Sequence, residues 1–225
     1  MPKATGGSET MNVLVTAGPT REYLDPVRFL SNRSTGRMGY AIAEAAVARG
    51  HNVVLVSGPV SLKPPCVSQF VPVVSARDML DAVSQNLAAC EVLVMCAAVA
   101  DWRPKTYSDI KLKKRGMAAT LELVPNPDIL SAIAPQKGKR IFIGFAAETN
   151  DVLDEARGKL IRKGLDMIVA NDVTQPGAGF EVETNIVTLM PAEGSAWALP
   201  IMSKTDVAVT IIEWAEKTVA ARTAT

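Results

Sequence analysis

Small, polar and charged residues follow three apolar segments of this sequence, and residues of these types bind nucleotides and phosphate groups. The first such stretch runs from residue 17 to residue 36, includes Asp25 and Arg28, and ends in Ser34, Thr35 and Gly36. A connection this long is uncommon without a function. N–H groups at a helix N-terminus favour phosphate, and hydroxyl side chains add donors. Ser34 or Thr35 can equally cap the helix, so both interpretations stay open.

The second stretch, residues 97–104, places small residues and Asp101 directly after an apolar run. Small residues let a ligand approach the backbone, and Asp101 can accept hydrogen bonds from ribose hydroxyls or a base. Lys111, Lys113 and Lys114 follow, and lysines of a mobile loop can neutralise a triphosphate as point charges. A solvated basic loop is the alternative for this cluster.

In the third stretch, residues 144–149, an apolar run is again followed by small residues. Phe145 can pack on a nucleobase or simply belong to the core. Lys159 and Lys163 are four residues apart, which places them on one face of a helix where they can converge on an anion. A solvated pair is the alternative.

Several other chemistries lose support. His51 is the only histidine, which argues against Ser-His, Cys-His and two-histidine metal sites, and we expect it in a surface turn. Cys66, Cys90 and Cys96 form no C-x-x-C pair and predict reduced thiols in a cytoplasmic protein, with Cys96 in the core. The sequence contains neither a Walker phosphate loop nor a G-x-G-x-x-G after the first strand.

Composition predicts one globular domain, because 48% of the 225 residues are hydrophobic and 21% are charged. A net charge of +1 argues against nucleic-acid and anionic-membrane partners. No apolar stretch reaches the roughly 18 residues that a membrane span needs. We expect residues 1–10 to be a disordered lead-in and residues 11–225 to form the domain.

Alternating strand and helix patterns predict the architecture. Continuous β-branched runs at 11–17, 52–57 and 91–97 are typical of strands buried on both faces. Such strands alternating with helices predict a doubly wound, mostly parallel, Rossmann-like α/β sheet with helices on both faces. Segments 185–190 and 197–202 are expected to pair as a small C-terminal hairpin or flap.

Taken together, the segments resemble the phosphopantothenoylcysteine synthetases, in order from about residue 11 to residue 172. The resemblance implies a ligase of coenzyme A biosynthesis, and the AAVADWRP block resembles the bacterial, CTP-dependent type. The flavin-dependent decarboxylase half of the bifunctional relatives is absent, so we expect no flavin. The matching blocks are TAGPTRE, DPVRFLSNRSTGRMG, LVSGPVSL, AAVADWRP, KLKK, NPDIL, GFAAET and K-x-x-x-K-x-x-D-x-I-V-A-N-D-V.

The resemblance also implies roles for individual residues. Asn32 matches the asparagine needed for the second step of the reaction, and Lys111 matches the flexible-loop lysine needed for the first. Nucleotide-binding positions are Cys96, Ala97, Ala98, Asp101, Asn126, Pro127, Asp128, Ile129, Phe145, Lys159 and Lys163. Positions that bind phosphate or substrate are Gly18, Asp25, Arg28, Ser34, Thr35 and Gly36.

The implied reaction has two steps. The carboxylate of 4′-phosphopantothenate attacks the α-phosphate of CTP, and the amine of L-cysteine then displaces CMP to form the amide. Cations and Mg²⁺ would stabilise charge in the first step, and the Asn32 amide can donate to the oxyanion of the second.

The resemblance implies a homodimer. Two alternatives stay open: a nicotinamide-dependent short-chain oxidoreductase, based on Tyr107-x-x-x-Lys111, and a non-catalytic nucleotide-binding regulator.

Overall fold

A mostly parallel sheet of eight strands organises the chain in a computed structural model, which describes residues 9–113, 120–148, 152–172 and 182–224. The strands in chain order are β1 (Asn12–Ala17), β2 (Arg21–Tyr23), β3 (Phe29–Ser31), β4 (Asn52–Ser57), β5 (Gln69–Pro72), β6 (Val92–Met95), β7 (Trp102–Pro104), β8 (Leu123–Pro125), β9 (Ile141–Glu148), β10 (Met167–Asp172), β11 (Thr184–Asn185), β12 (Val187–Pro191), β13 (Trp197–Ala198) and β14 (Met202–Ser203). The helices are α1 (Arg37–Ala48), α2 (Ala76–Leu87), α3 (Ile129–Ile133), α4 (Val152–Arg162) and α5 (Lys204–Thr223).

The order of the central sheet is β13-β12-β10-β9-β6-β1-β4-β5. The strands from β5 to β10 in this order are parallel, and β12 and β13 add an antiparallel edge. The predicted doubly wound, mostly parallel fold is therefore confirmed. The predicted C-terminal hairpin forms between β12 and β13, but it extends the central sheet and is not a separate flap.

Apolar side chains from both sheet faces form the core, which explains the continuous hydrophobic runs of β1, β4, β6 and β9. One face packs against α1 and α5, and the other against α2, α3 and α4. Strand β1 shows why: Val13 and Val15 face the first layer, while Leu14 between them faces the second. Because the side chains of the central strands β1 and β6 are almost all buried, the polar functional groups collect at the strand ends.

Local signals fixed several helix ends. Ser75 caps α2 in a capping box with Asp78. Asp128 caps α3, so Pro127 lies one position before the cap and not in the first turn of the helix. Gly36, and neither Ser34 nor Thr35, is the N-cap of α1, with a positive φ of 81° that favours glycine.

The prediction that His51 lies in a surface turn is wrong. The His51 side chain is only 1% exposed, because α5 covers it and brings Glu216 to its ring. The backbone N–H of Met11 donates to His51 Nδ1 at 3.3 Å, so the ring proton lies on Nε2 and is donated to Glu216 at 2.9 Å. His51 therefore joins the start of β1 to the last helix.

The sheet has a topological switch point between β1 and β6. From β1 the chain continues to β4 on one side, and β6 lies on the other side of β1. In open α/β sheets, ligands bind in the crevice beyond the carboxyl ends of the strands at this point. Two of the stretches that the sequence singled out begin at this edge, after β1 and β6, and the third, up to Glu148, is the carboxyl-terminal part of β9.

Candidate active site

A cleft of about 1170 Å³ opens at the carboxyl ends of β6 and β9. It brings together Asn32 and all the residues predicted to bind the nucleotide. Met95, Val99, Ala100, Leu130, Arg33, Arg162 and Val182 also contribute to its wall. Within the described residues, the structure thus gathers side chains from segments more than a hundred positions apart in the sequence.

Two threonines hold the β1 and β6 ends of this cleft together. Thr16 Oγ1 accepts hydrogen bonds from the N–H groups of Cys96 and Ala97, both at 3.1 Å. Thr20 Oγ1 accepts from the N–H of Ala100 at 2.9 Å. Both threonines are fully buried. The small-residue segment after β6 is therefore a rigid wall whose backbone is fixed from β1.

Asn32 reaches the same wall from the other side. Its Nδ2 atom donates to the carbonyl oxygens of Ala98 and Val99, at 3.1 and 3.2 Å. Both amide hydrogens are used in this state, so donation to a substrate oxygen requires Asn32 to exchange or share one of these partners.

The opposite wall is built from residues 126–128, which follow β8, and from the start of α3. The N–H of Asn126 donates to the carbonyl of Asp101 at 2.7 Å, and its Nδ2 donates to the carbonyl of Ala100 at 2.8 Å. Arg103 Nη1 donates to Asn126 Oδ1 at 3.2 Å. Asn126 therefore joins the NPDIL segment to the segment after β6, and the Asp101 side chain stays exposed to the cleft.

Helix α4 supplies the positive charge. Lys159 Nζ donates to the carbonyl of Phe145 at 2.8 Å, while Lys163 Nζ bonds to Asp128 and, at 2.9 Å, to Ser131. Burial opposes the charge on Asp128, but the bonds from Lys163 and the Ser131 N–H outweigh it and lower the pKa of Asp128. The predicted lysine pair thus converges on the cleft.

A second, small cavity of about 70 Å³ adjoins the cleft and shares Cys96 and Phe145 with it. The start of α1 lines it, from Ser34 to Gly39. Gly36 provides no side-chain cap, so the first-turn N–H groups of α1 keep their capacity for an anion. Lys204, Asn171 and Asn185 complete this lining.

The small cavity is polar without being fully satisfied. The Oδ1 atoms of Asn171 and Asn185 are buried and have no hydrogen-bond partner among the described residues. Burial lowers the pKa of Lys204, whose ammonium donates to the backbone carbonyls of Val182 and Thr184. Burial also raises the pKa of Cys96 to about 12, which agrees with a thiol that lines the site without acting as a nucleophile.

Four of the predicted site residues lie outside both linings. Gly18 makes a positive-φ turn of 73° behind the wall, and its carbonyl accepts from the Ala98 N–H at 2.9 Å. Asp25 and Arg28 pair with each other. Lys111 is exposed in a loop that runs beside this pair. The roles predicted for these residues stay predictions.

The cleft, its supporting wall and the small cavity include residues that the sequence did not point to. Thr16 and Thr20 belong to the TAGPTRE block, and Asn171 belongs to the IVAND segment, so the blocks already contained a signal for them. Arg162 lies between the two predicted lysines. Lys204, by contrast, gives no local signal, because it reaches the cavity from the start of α5.

Comparisons with known proteins identify the family of the chain. The model for the DNA/pantothenate metabolism flavoprotein C-terminal domain matches residues 8–219. The chain belongs to this family. It is 52% identical over 206 residues to the coenzyme A biosynthesis bifunctional protein CoaBC of Bacillus subtilis, covering 91% of this chain and 51% of that protein. For the Escherichia coli K12 protein of the same name the identity is 48% over 198 residues, covering 86% and 48%.

A solved structure is similar along its whole length. The crystal structure of the C-terminal domain of coenzyme A biosynthesis bifunctional protein CoaBC has a TM-score of 0.82 and 42% identity, covering 96% of this chain and 100% of that one. The resemblance to the synthetases is thus confirmed at the level of the family. The chain spans about half the length of the curated relatives it matches.

Two further findings concern what the described residues lack. They contain no group of three or more His, Cys, Asp or Glu side chains arranged to hold a metal ion. None of their helices is long and apolar enough to cross a bilayer.

Proposed function

We propose that the chain is the phosphopantothenate–cysteine ligase of coenzyme A biosynthesis and that it uses CTP. One observation carries the proposal. The cleft that gathers the predicted nucleotide positions shares Cys96 and Phe145 with the small cavity at the N-terminus of α1, where Gly36 provides no side-chain cap. A nucleotide and a phosphorylated substrate would therefore meet at the shared wall. The names of the curated relatives support the same pathway.

In the first step, a carboxylate oxygen of 4′-phosphopantothenate attacks the α-phosphorus of CTP. The bond between the α- and β-phosphates breaks, and its electron pair leaves with pyrophosphate. The phosphate of phosphopantothenate would lie against the first-turn N–H groups of α1. Lys159 bonds to the carbonyl of Phe145, a residue shared by both cavities, which is where the developing charge needs a cation.

In the second step, the cysteine amine attacks the acyl carbon, the oxyanion collapses and CMP leaves. Asn32 lies on the wall beside Ala98 and can turn one amide hydrogen toward that oxyanion. An amide donor stabilises the oxyanion without adding a charge that would oppose the departure of CMP. We assign the role of Lys111 to the first step by resemblance.

Mg²⁺ fits the proposal as a companion of the triphosphate. Magnesium prefers oxygen ligands and in nucleotide sites takes them mostly from phosphate and water, with one or two carboxylates. Asp101 is an exposed carboxylate on the cleft wall and is the candidate protein ligand. When bound, the ion would neutralise charge on the phosphates.

Selection of CTP over ATP would come from the wall between Ala97 and Asn126. A site built around polar partners rejects the wrong base because those partners stay unpaired. Each buried group left unsatisfied costs about 1–3 kcal/mol, so two would favour CTP by more than about tenfold. Equal rates of amide formation with ATP and CTP, at equal concentration, would contradict the proposed selectivity for CTP. The proposed ligase activity would still stand.

The deciding experiment mixes the protein with CTP, Mg²⁺, 4′-phosphopantothenate and L-cysteine and measures pyrophosphate and CMP. We expect one pyrophosphate and one CMP for each amide formed. Without cysteine, pyrophosphate should stop at about one per site. Absence of turnover with all substrates present would contradict the ligase and favour the non-catalytic regulator.

The oxidoreductase alternative is not favoured. The Y-x-x-x-K motif requires Tyr107 and Lys111 on one face of a helix, whereas residues 107–111 form a loop without helical structure. Binding of NADH in a titration would support the oxidoreductase alternative.

We also propose a homodimer. The β2–β3 hairpin packs beside β7, and the two expose Tyr23, Val27 and Phe29 on the hairpin and Trp102 on β7. The rings of Tyr23 and Phe29 lie 5.3 Å apart, and Arg21 lies 4.6 Å from the Phe29 ring centre. An ordered aromatic surface of this kind marks a protein contact. Sedimentation should give a dimer for the wild-type protein and a monomer for Phe29→Glu; a wild-type monomer would contradict the proposal.

A further inference from the structure

Three cationic residues at the end of α4 line the cleft: Lys159 and Arg162 in its last turn, and Lys163 directly after it. Both lysines hold acceptors of the protein itself. Lys159 bonds to the carbonyl of Phe145, and Lys163 bonds to Asp128 and Ser131. Arg162 makes no hydrogen bond or ion pair with any of the described residues. Among the residues that the structure describes, its charge therefore meets no competing acceptor when an anion enters.

The helix contains a gap that fits the Arg162 side chain. Helical side chains tilt toward the N-terminus, so residue 162 lies over residue 158. Residue 158 is glycine, and a Cβ built on it would lie 2.7 Å from Arg162 Nη1. Glycine is unfavourable inside a helix. Its presence here leaves room for the guanidinium to lie close to the helix backbone at the edge of the cleft.

The position of Arg162 relative to Lys159 suggests which phosphates it meets. Lys159 is half-buried and bonds to Phe145, where the cleft joins the small cavity. Arg162 is more exposed than Lys159, and its guanidinium lies over Gly158, the residue before Lys159. A triphosphate that reacts at its α-phosphorus near the shared wall would extend its β- and γ-phosphates toward Arg162.

We propose that Arg162 binds the outer phosphates of the nucleotide and the departing pyrophosphate. This inference rests on the proposed function, because it takes the cleft to be the nucleotide site. A guanidinium presents two parallel N–H donors that match a phosphate, and it remains charged at any working pH. Arg162 thus provides a contact to the nucleotide that Lys159 and Lys163 do not provide.

The test titrates inorganic pyrophosphate, and separately CMP, into the full chain by calorimetry. Arg162→Gln should weaken pyrophosphate binding by about tenfold or more, the effect of losing a charged hydrogen-bonded contact. Binding of CMP, which has no outer phosphates, should change less than about twofold, an estimate for a residue that touches only the missing groups. Arg162→Lys should retain part of the affinity for pyrophosphate, because lysine keeps the positive charge but lacks the two parallel N–H donors of the guanidinium.

Two further variants separate this role from a general effect on α4. Arg157 is exposed on the same helix but lies outside the cleft lining, so Arg157→Gln should bind pyrophosphate like the wild type. Gly158→Ala should displace the guanidinium and weaken pyrophosphate binding while sparing CMP.

The inference is overturned if Arg162→Gln binds pyrophosphate like the wild type, or if it loses CMP and pyrophosphate equally. If the wild-type protein binds pyrophosphate and CMP but makes no amide, the proposed function fails while the role of Arg162 in phosphate binding still stands.

Discussion

The carboxylate of Asp25 accepts a hydrogen bond from the backbone N–H of Leu112 at 3.1 Å, across 87 positions of sequence. Arg28 closes the arrangement, because its Nη2 donates to Asp25 Oδ2 and to the Leu112 carbonyl, both at 2.6 Å. The loop that carries Lys111 is thus tied at its next residue to the β2–β3 turn. Asp25 itself is fully buried.

Replacement of Asp25 by Asn should loosen this loop. Burial of Asp25 opposes its charge, but the hydrogen bonds from Arg28 and from the N–H groups of Val27 and Leu112 prevail and hold its pKa well below the ordinary value. We expect Asp25→Asn to lower the melting temperature and to speed amide hydrogen exchange at Leu112. Asp109→Asn, which removes an exposed carboxylate from the same loop, is the matched control and should do neither.

The stability difference between wild type and Asp25→Asn should also depend on pH in a defined direction. A carboxyl whose pKa is lower in the folded state stabilises the protein above its unfolded pKa, about 3.9, and loses this effect below it. The difference should stay constant from pH 7 to about pH 4 and narrow in stronger acid. A difference that grew on acidification would contradict the assignment.

A second prediction concerns Glu216, which fastens α5 to the sheet through Arg49 and His51. Arg49 Nε and Nη2 donate to it at 2.8 and 2.7 Å, and these bonds, with His51, lower the pKa of Glu216 to about 2. Glu216→Gln should reduce the free energy of unfolding by about 1–3 kcal/mol at pH 7, as expected for charged hydrogen bonds. Urea unfolding measures this change.

The difference should disappear between about pH 4 and pH 2 as Glu216 of the wild type is protonated. The neighbouring Glu213 bonds to Arg49 at 3.2 Å and is 44% exposed. Glu213→Gln should cost less than about 1 kcal/mol, as for other exposed ion pairs. An equal cost for both variants would mean that burial of Glu216 contributes nothing.

The sequence predicted those features that depend on neighbours along the chain. Continuous apolar runs identified the buried strands. Ser75 is of a residue type that is typical of helix N-caps, and it caps the start of α2. The glycines at 18 and 36 fall at turns that need a positive φ. By contrast, β2, β3, β7 and β8 are three residues long, and such short pairs carry too little pattern to be seen before their partners are known.

Features made by distant segments were not predictable in the same way. Thr16 has the pattern of an ordinary strand residue, and its role appears only when the segment after β6, 80 positions later, donates to its hydroxyl. His51 is buried only because α5 packs over it. The site was predicted from family blocks, which record such long-range relations without explaining them.

A third prediction tests Lys111 against its neighbours. Lys111→Gln keeps the length of the side chain and removes its charge, so it should slow acyl-cytidylate formation by roughly a hundredfold, the effect of losing an electrostatic contact in the transition state. Single-turnover pyrophosphate release measures the step. Lys113→Gln is the matched control, since it removes the same charge two residues away in an equally exposed position. If Lys111→Gln releases pyrophosphate at the wild-type rate, Lys111 is not the lysine that acts in the first step. Lys114, the third lysine of the cluster, lies outside the described residues.

The last prediction concerns Asn32, whose amide donates to the carbonyls of Ala98 and Val99. Asn32→Asp would place a carboxylate against these two oxygens and where the oxyanion of the second step must form. The variant should therefore release about one pyrophosphate per site while amide formation slows by about a hundredfold, the usual effect of removing an oxyanion donor. Acyl-cytidylate should accumulate and be visible by mass spectrometry.

Asn32→Ala separates catalysis from support of the wall, because it removes the donor without adding charge. If Asn32 serves the oxyanion, the alanine variant should also accumulate acyl-cytidylate, with an unchanged first step. If Asn32 only holds the wall, the nucleotide site should loosen in both variants, and both half-reactions should slow together. Pyrophosphate burst amplitude and rate, measured before cysteine is added, distinguish the two roles, because the oxyanion forms only after cysteine attacks.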